Sequence, residues 1–339
     1  MTAKEPALRS GRSGAGATGP SHDAPGRSDL ALVILLGVLW GTAFPVIRAG
    51  LVGGAPPLLF AAVRYALTAA AIAPIAWAAR TPRPRWVDLR APALLGGLLM
   101  IGAYGGLLYL GEETTSGGLA AVLTASAPLA SAGIGLRLLA TERLGRWGAG
   151  GLLVGFAGVG VLVLPQLLDG ATSGVVGPLL VLAAVLSFAV GSVVLRRTQT
   201  VAPGLWTLSV QFAVAAGLVG LLSVGAGEPA SLGSGSLVLP ALGFLVVVPG
   251  ILGYTLYFRI HHTSGPTTAN VVGYVNPVTG ILVGLLVFGE SVSAVEIGGL
   301  ALIALGLFFL QRDRARTSSP PREERTREGP DARALGARR

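Results

Sequence analysis

The sequence contains no cysteine, which excludes disulfide staples, thiolate metal sites and a nucleophilic thiol. Charge is scarce as well. Only 12% of the 339 residues are Asp, Glu, Lys or Arg, about half the roughly 25% of an ordinary soluble domain. There are three histidines, His22, His261 and His262, and no HExxH or GxSxG arrangement, so the parts of a zinc or serine hydrolase are missing. Nor does the sequence pair two acids inside an apolar stretch. We therefore expect no enzyme, no cofactor and no metal. No apolar run precedes residue 29, so the N-terminus does not read as a cleavable signal peptide.

Apolar and small residues fill the space. The chain is 52% hydrophobic with 51 glycines and a mean hydropathy of +0.70. In water so much glycine would weaken helices; in a bilayer it lets helices approach closely. The net charge is +9, and about half of it lies in two tails, 1–29 and 312–339, which read as disordered. The C-terminal arginines, from Arg312 to Arg339, read as a topology signal beside lipid headgroups. Without a folded basic module they give no sign of nucleic-acid binding.

A helix of about 20 residues crosses the hydrocarbon core. Ten such stretches are predicted: 30–50, 57–79, 92–110, 117–138, 147–165, 175–195, 204–224, 237–259, 267–288 and 295–311. Short connections predict that sequence neighbours pack as antiparallel hairpins. One set of loops holds Arg80, Arg83, Arg85 and Arg90, then Arg137, Arg143 and Arg146, then Arg196 and Arg197, then Arg259. The alternate set holds Glu112, Glu113, Asp169, Glu228, Glu290 and Glu296 and no Lys or Arg. The positive-inside rule then puts both tails in the cytoplasm of a multi-pass protein of the plasma or inner membrane.

The chain also repeats itself. A shift of 147 to 149 positions lays Trp40 over Phe188, Arg48 over Arg196, Arg64 over Gln211, Pro128 over Pro277 and Glu142 over Glu290. The period is too long for a solenoid unit. Two five-helix blocks result, 30–165 and 175–311. Five is odd, so the second block enters from the opposite side and the repeat is inverted. The expected fold is an all-α membrane protein of ten transmembrane helices, two inverted five-helix repeats around a central cavity, suited to alternating access.

Several segments carry a family resemblance: WGTAFPVIRAGL (40–51), PPLLFAAVRYALTA (56–69), GAYGGLLYLGEETTSGGLAAVLTASAPL (102–129), YTLYFRIHHTSGPTTANVVGYVNPV (254–278) and FGESVSAVEIGGLALIALGLFFL (288–310). In order and in duplicate they resemble the drug/metabolite transporter superfamily, specifically its EamA-type ten-span exporters. The resemblance implies ten helices, a cavity between the halves, export or exchange of small metabolites and no cofactor. It leaves the substrate open. His261 and His262 stand where many relatives have Lys or Arg.

Candidate cavity residues follow from charge and polarity inside apolar stretches. Arg64 lies deep in the second stretch, where a charge must face the bundle interior or a wet cavity; its fork suits a carboxylate or phosphate. Its repeat partner is Gln211. Trp40, Tyr104 and Tyr254 fall mid-span and can contact a substrate ring, whereas Tyr109 and Tyr257 are expected at interfaces and Arg48 to snorkel. Pro128 and Pro277 should kink their helices, with Thr124 and Ser126 beside the first and Asn270, Tyr274 and Asn276 beside the second. Glu290 either carries a coupling proton or pairs with or caps a neighbouring helix. Gly102/Gly106, Gly151/Gly155 and Gly280/Gly284 have GxxxG spacing, and the fifth and tenth helices could pack between protomers of a homodimer. The expected activity is export of a small amphiphilic metabolite such as an amino acid. The alternatives are a channel-like facilitator, a multidrug exporter, or a receptor or scaffold without transport.

Overall fold

The computed structural model describes residues 27–138, 144–168, 172–197, 204–257, 259–260 and 272–317. Regular structure among them is helical throughout. Among the described residues, nine helices are long and apolar enough to cross a membrane: α1 (Leu30–Val52), α2 (Pro57–Ala78), α3 (Trp86–Glu112), α4 (Gly117–Leu138), α5 (Arg146–Leu168), α6 (Gly174–Leu195), α7 (Leu205–Gly225), α8 (Val238–Tyr257) and α10 (Ala294–Asp313). Between the last two lies a shorter apolar helix, α9 (Val272–Phe288). Asn270, Glu142, His261, His262 and Asp169 lie outside the described residues.

Helix ends follow local chemistry. Pro57 opens α2, where its missing N–H costs nothing. Ser116 caps α4 by accepting from Leu119 N. Pro128 splits α4 into Gly117–Thr124 and Ala127–Leu138, since its ring cannot bond the carbonyl of Thr124. The Ser126 and Thr124 hydroxyls turn back onto the carbonyls of Leu123 (2.6 Å) and Ala121 (2.9 Å). Pro277 does not act alike: α9 is continuous from Val272 to Phe288 with Pro277 inside it.

The hairpin expectation fails. The most extensive packing joins the first five helices to the last five: α5 to α10, α2 and α3 to α7, α3 and α4 to α6, α1 to α8 and α9, and α4 to α9. Exchanging the halves maps most of these pairs onto one another, though the α3–α7 contact has only a weaker counterpart in α2 and α8. Glycine makes the closest approach attainable. A Cβ on Gly306 of α10 would lie 2.5 Å from the Gly151 carbonyl oxygen of α5 and 2.6 Å from Gly155 N, so any larger residue would force the backbones apart. The glycine faces of α5 and α10 thus meet within one chain, while Leu153, Phe156, Ile297 and Phe308 on their other faces are exposed, as lipid contact requires.

Carboxylates of the second half also take up helix N-termini of the first. Glu228 accepts from Leu58 N (3.0 Å) and Leu59 N (2.7 Å) at the start of α2. Glu290 accepts from Gly117 N and Gly118 N, both at 2.9 Å, at the start of α4. Asp313 accepts from Gly145 N at 2.7 Å just before α5. Each places negative charge on orphan amides at the positive end of a helix dipole. Glu290 is therefore a cap, and it stands apart from the cavity described below. Glu290→Ala and Glu228→Ala should each lower stability by about 0.5–2 kcal/mol, the usual cost of a lost cap. Thermal unfolding in detergent followed by circular dichroism checks this, and an unchanged midpoint would show that the caps contribute nothing.

Candidate functional site

Two helices depart from regular α geometry at matching places. Residues Pro92–Ala103 of α3 and Val246–Gly253 of α8 wind as wide π turns. Such turns displace backbone groups from the ordinary ladder and often mark functional sites. Here they border the cavity. The Pro249 carbonyl in α8 receives the Trp40 indole N–H of α1 at 3.1 Å. The Pro92 carbonyl in α3 receives Gln211 Nε2 of α7 at 2.8 Å. Gly96 makes room for that contact, because a Cβ there would meet Gln211 Nε2 at 2.2 Å.

Between the halves lies a cavity of about 430 Å³. Trp40, Arg64, Tyr104, Thr124, Pro128, Gln211, Tyr254 and Asn276 line it, together with Tyr65, Phe188, Phe212 and Tyr257. Its wall runs from mid-span to the end of the bundle where Leu195, Leu208 and Tyr257 lie.

Rings form a connected chain through this wall. Tyr257 and Tyr254 flank Trp40 at centroid distances of 5.4 and 5.2 Å. Tyr254 meets Phe212 edge-on at 5.2 Å, and Phe212 meets Tyr65 at 5.7 Å. Tyr65 and Phe60 both contact Tyr109, at 6.5 and 5.8 Å. Tyr104 pairs with Phe188 at 5.7 Å. Edge-to-face pairs of this kind are worth about 0.5–1.5 kcal/mol each beyond area burial.

Arg64 is the cation of the cavity. Its Nη1 donates to the Tyr109 hydroxyl at 2.8 Å, and its guanidinium carbon lies 5.6 Å from the Tyr65 ring centroid and 6.0 Å from that of Tyr109. Cation–π contact partly replaces lost hydration. Nε has no hydrogen-bond partner among the described residues, and no carboxylate there bonds the guanidinium. The arrangement is a positive charge without a bonded carboxylate in an aromatic pocket, suited to an anionic group.

Other sequence expectations need correction. Ser126 does not face the cavity; it is buried with its hydroxyl on Leu123 O. Tyr274 points away as well, packing on the core and hydrogen-bonding Gln311. Pro277 is buried in α9 outside the lining. Asn276 does line it, and the amide orientation that satisfies its neighbours has the nitrogen 3.0 Å from Gly37 O. Tyr109 is fully buried on Arg64 instead of sitting in an interfacial belt, and Tyr257 lines the cavity. Arg48 does not snorkel. It donates to the carbonyls of Glu112 (2.7 Å) and Glu113 (2.5 Å), closing the end of α3. Just beyond that end, partial burial and the charge of Glu228 push the Glu113 carboxyl above its usual range, against the pull of Arg48.

Reading polar residues first missed Tyr65, Phe188, Phe212 and Tyr257. The repeat could have found three of them. The shift that lays Arg64 over Gln211 lays Tyr65 over Phe212, and Trp40 already lay over Phe188. Trp40→Phe should keep the stacking on Tyr254 but leave Pro249 O without its donor. We expect a loss of about 0.5–1.5 kcal/mol, the net worth of one hydrogen bond, read as a lower thermal midpoint. An unaltered midpoint would mean that water replaces the indole.

Comparison with known proteins gives a consistent picture. The model of the EamA-like transporter family matches residues 28–164 and again 175–312. A protein named "Uncharacterized inner membrane transporter YedA" from Escherichia coli is 27% identical over 274 residues, 80% of this chain and 87% of its own length. One named "Probable amino-acid metabolite efflux pump" from Salmonella typhimurium is 29% identical over 291 residues, 84% of this chain and 94% of its own. A solved crystal structure with 24% identity superposes with a TM-score of 0.59, covering 86% of this chain and 99% of the other; it bears on the fold alone.

Proposed function

The chain belongs to the EamA-like transporter family, and from that premise we propose that it carries a small amphiphilic metabolite, an amino acid or close relative, out of the cell by alternating access. One observation carries the substrate class. Arg64 lines a cavity walled by Tyr65, Tyr104, Tyr254 and Trp40, and no carboxylate among the described residues bonds its guanidinium. A guanidinium so placed takes a carboxylate in a charge-assisted, two-pronged bond, and the rings take an apolar side chain. A volume of about 430 Å³ falls in the range of small-molecule sites. The name of the Salmonella relative points the same way. The aromatic wall by itself would also suit lipophilic drugs; Arg64 weighs against cationic ones.

The mechanism rests on a ten-span topology in which α9 is the ninth crossing and the second half is inverted on the first. The arginine-rich end, with Arg83 and Arg85 between α2 and α3 and Arg90 near the start of α3, then faces the cytoplasm together with both tails. The cavity extends to that end, so this conformation receives substrate from inside. The opposite end is held shut by Arg48 on α3 and by the Glu228 and Glu290 caps. Rocking of the halves would break those contacts and open the outer side.

Reconstituted liposomes loaded with a panel of amino acids provide the test. Saturable efflux that is stimulated by amino acid on the opposite side is the expected result. Arg64→Ala should reduce it at least about tenfold, since a hydrogen bond to a charged group is worth about 1.5–3 kcal/mol. Flux that never saturates would favour a channel. Transport confined to cationic drugs, or left intact by Arg64→Ala, would overturn the carboxylate contact.

A further inference from the structure

The sequence places Glu112 in a loop, but the structure makes it the last residue of α3 with its side chain fully buried. Arg48 bonds its backbone carbonyl and not its carboxyl. Among the described residues neither carboxyl oxygen has a hydrogen-bond partner. Next to it the Thr115 hydroxyl is also buried and unpartnered. An unpartnered neutral polar group already costs about 1–3 kcal/mol, and an ionised one far more. Such a group persists where it has a task.

The surroundings are sparse in charge. Among the described residues, from α1 comes Arg48, from α2 Arg64 and Tyr65, from α3 itself Tyr104, Tyr109 and Glu113, and from the segment after α9 comes Glu290; the fields of Glu290, Arg48 and Arg64 reach the carboxyl. α4 over Gly117–Thr124, α6 and α7, which also pack on α3, present no ionisable side chain to this end. The potential cationic partners are both engaged elsewhere, Arg48 on carbonyls and Arg64 on Tyr109. Tyr109 lies one helical turn before Glu112, which joins this acid to the cavity through Arg64.

We propose that Glu112 holds an exchangeable proton, bound while the Arg48 end of the bundle is closed and released when that end opens. With the end closed, the carboxyl lies among apolar atoms and keeps its proton. When the halves separate there, Arg48 leaves the carbonyls of Glu112 and Glu113 and can face the carboxyl, and water enters. The O–H bond breaks, the proton passes to water, and the carboxylate pairs with the guanidinium. Glu112 is not among the residues that line the cavity; it acts beside the substrate site and not in it. Its use as a coupling proton rests on the transport reading above, but its existence does not.

Infrared spectroscopy of the purified full chain in lipid at neutral pH tests the proposal. The wild-type minus Glu112→Gln difference should show the C=O band of a protonated carboxyl, lost in the variant and shifted in D₂O. Identical spectra, or a band that ignores D₂O, would overturn it. If Glu112→Gln fails to fold, the wild-type protein is treated with dicyclohexylcarbodiimide, which attacks protonated carboxyls in apolar surroundings. An adduct on Glu112 that declines as pH rises supports the site; no adduct there, or one indifferent to pH, overturns it. In liposomes with an imposed pH gradient, Glu112→Gln should lose gradient-driven accumulation of amino acids while keeping exchange at equal pH. If the infrared band is present but no amino acid moves, the proton site stands and the substrate reading fails. Amino-acid transport with no such band is the reverse case.

Discussion

Lipid offers no hydrogen bonds and is as apolar as the helices it surrounds, so hydrophobic burial alone gives apolar helices little reason to associate. This chain depends on contact between its two halves at backbone distance. Gly151, Gly155 and Gly306 bring α5 and α10 together with no side chain between them. At the helix ends, Glu228, Glu290 and Asp313 hold first-half amides that lipid could not satisfy. Without those cross-contacts neither half has a packed partner, because helices adjacent in sequence touch less than helices of opposite halves.

The same constraint creates the cavity. α2 meets α7, and each brings a polar residue followed by a ring: Arg64 and Tyr65, Gln211 and Phe212. Gln211 spends its amide on the Pro92 carbonyl at the start of the wide turn in α3, whereas Arg64 bonds the Tyr109 hydroxyl and lines the cavity. Duplication supplied symmetric walls, and one substitution in the symmetric pair supplied a charge on one side only.

Buried charge shows the range of outcomes available to one chemistry. Arg48 ends on carbonyls, Arg64 on a phenol and two rings, Glu290 on amides, and Glu112 on nothing among the described residues. Arg48, Glu112 and Glu290 lie near the edges of apolar stretches in the sequence, and Arg64 lies inside one. Helix periodicity could not separate them, because α1, α2, α3 and α9 are apolar around most of their circumference.

The sequence by itself determined the helical class, the positions of nearly all the long apolar helices, the duplication and the family, since these depend on hydropathy and spacing along the chain. It also pointed to Arg64, Trp40, Gln211 and Tyr254 as residues too polar or too bulky for a lipid-facing position. Only the tertiary structure decided which helices meet, that Ser126 and Tyr274 turn away from the cavity, that Glu290 is a cap, and that Glu112 is enclosed. The reason is physical. Hydropathy is a property of a segment, but whether a particular carboxyl or hydroxyl finds a partner depends on the rotation of helices about their axes, and that is set by contacts with residues some 60 to 210 positions away.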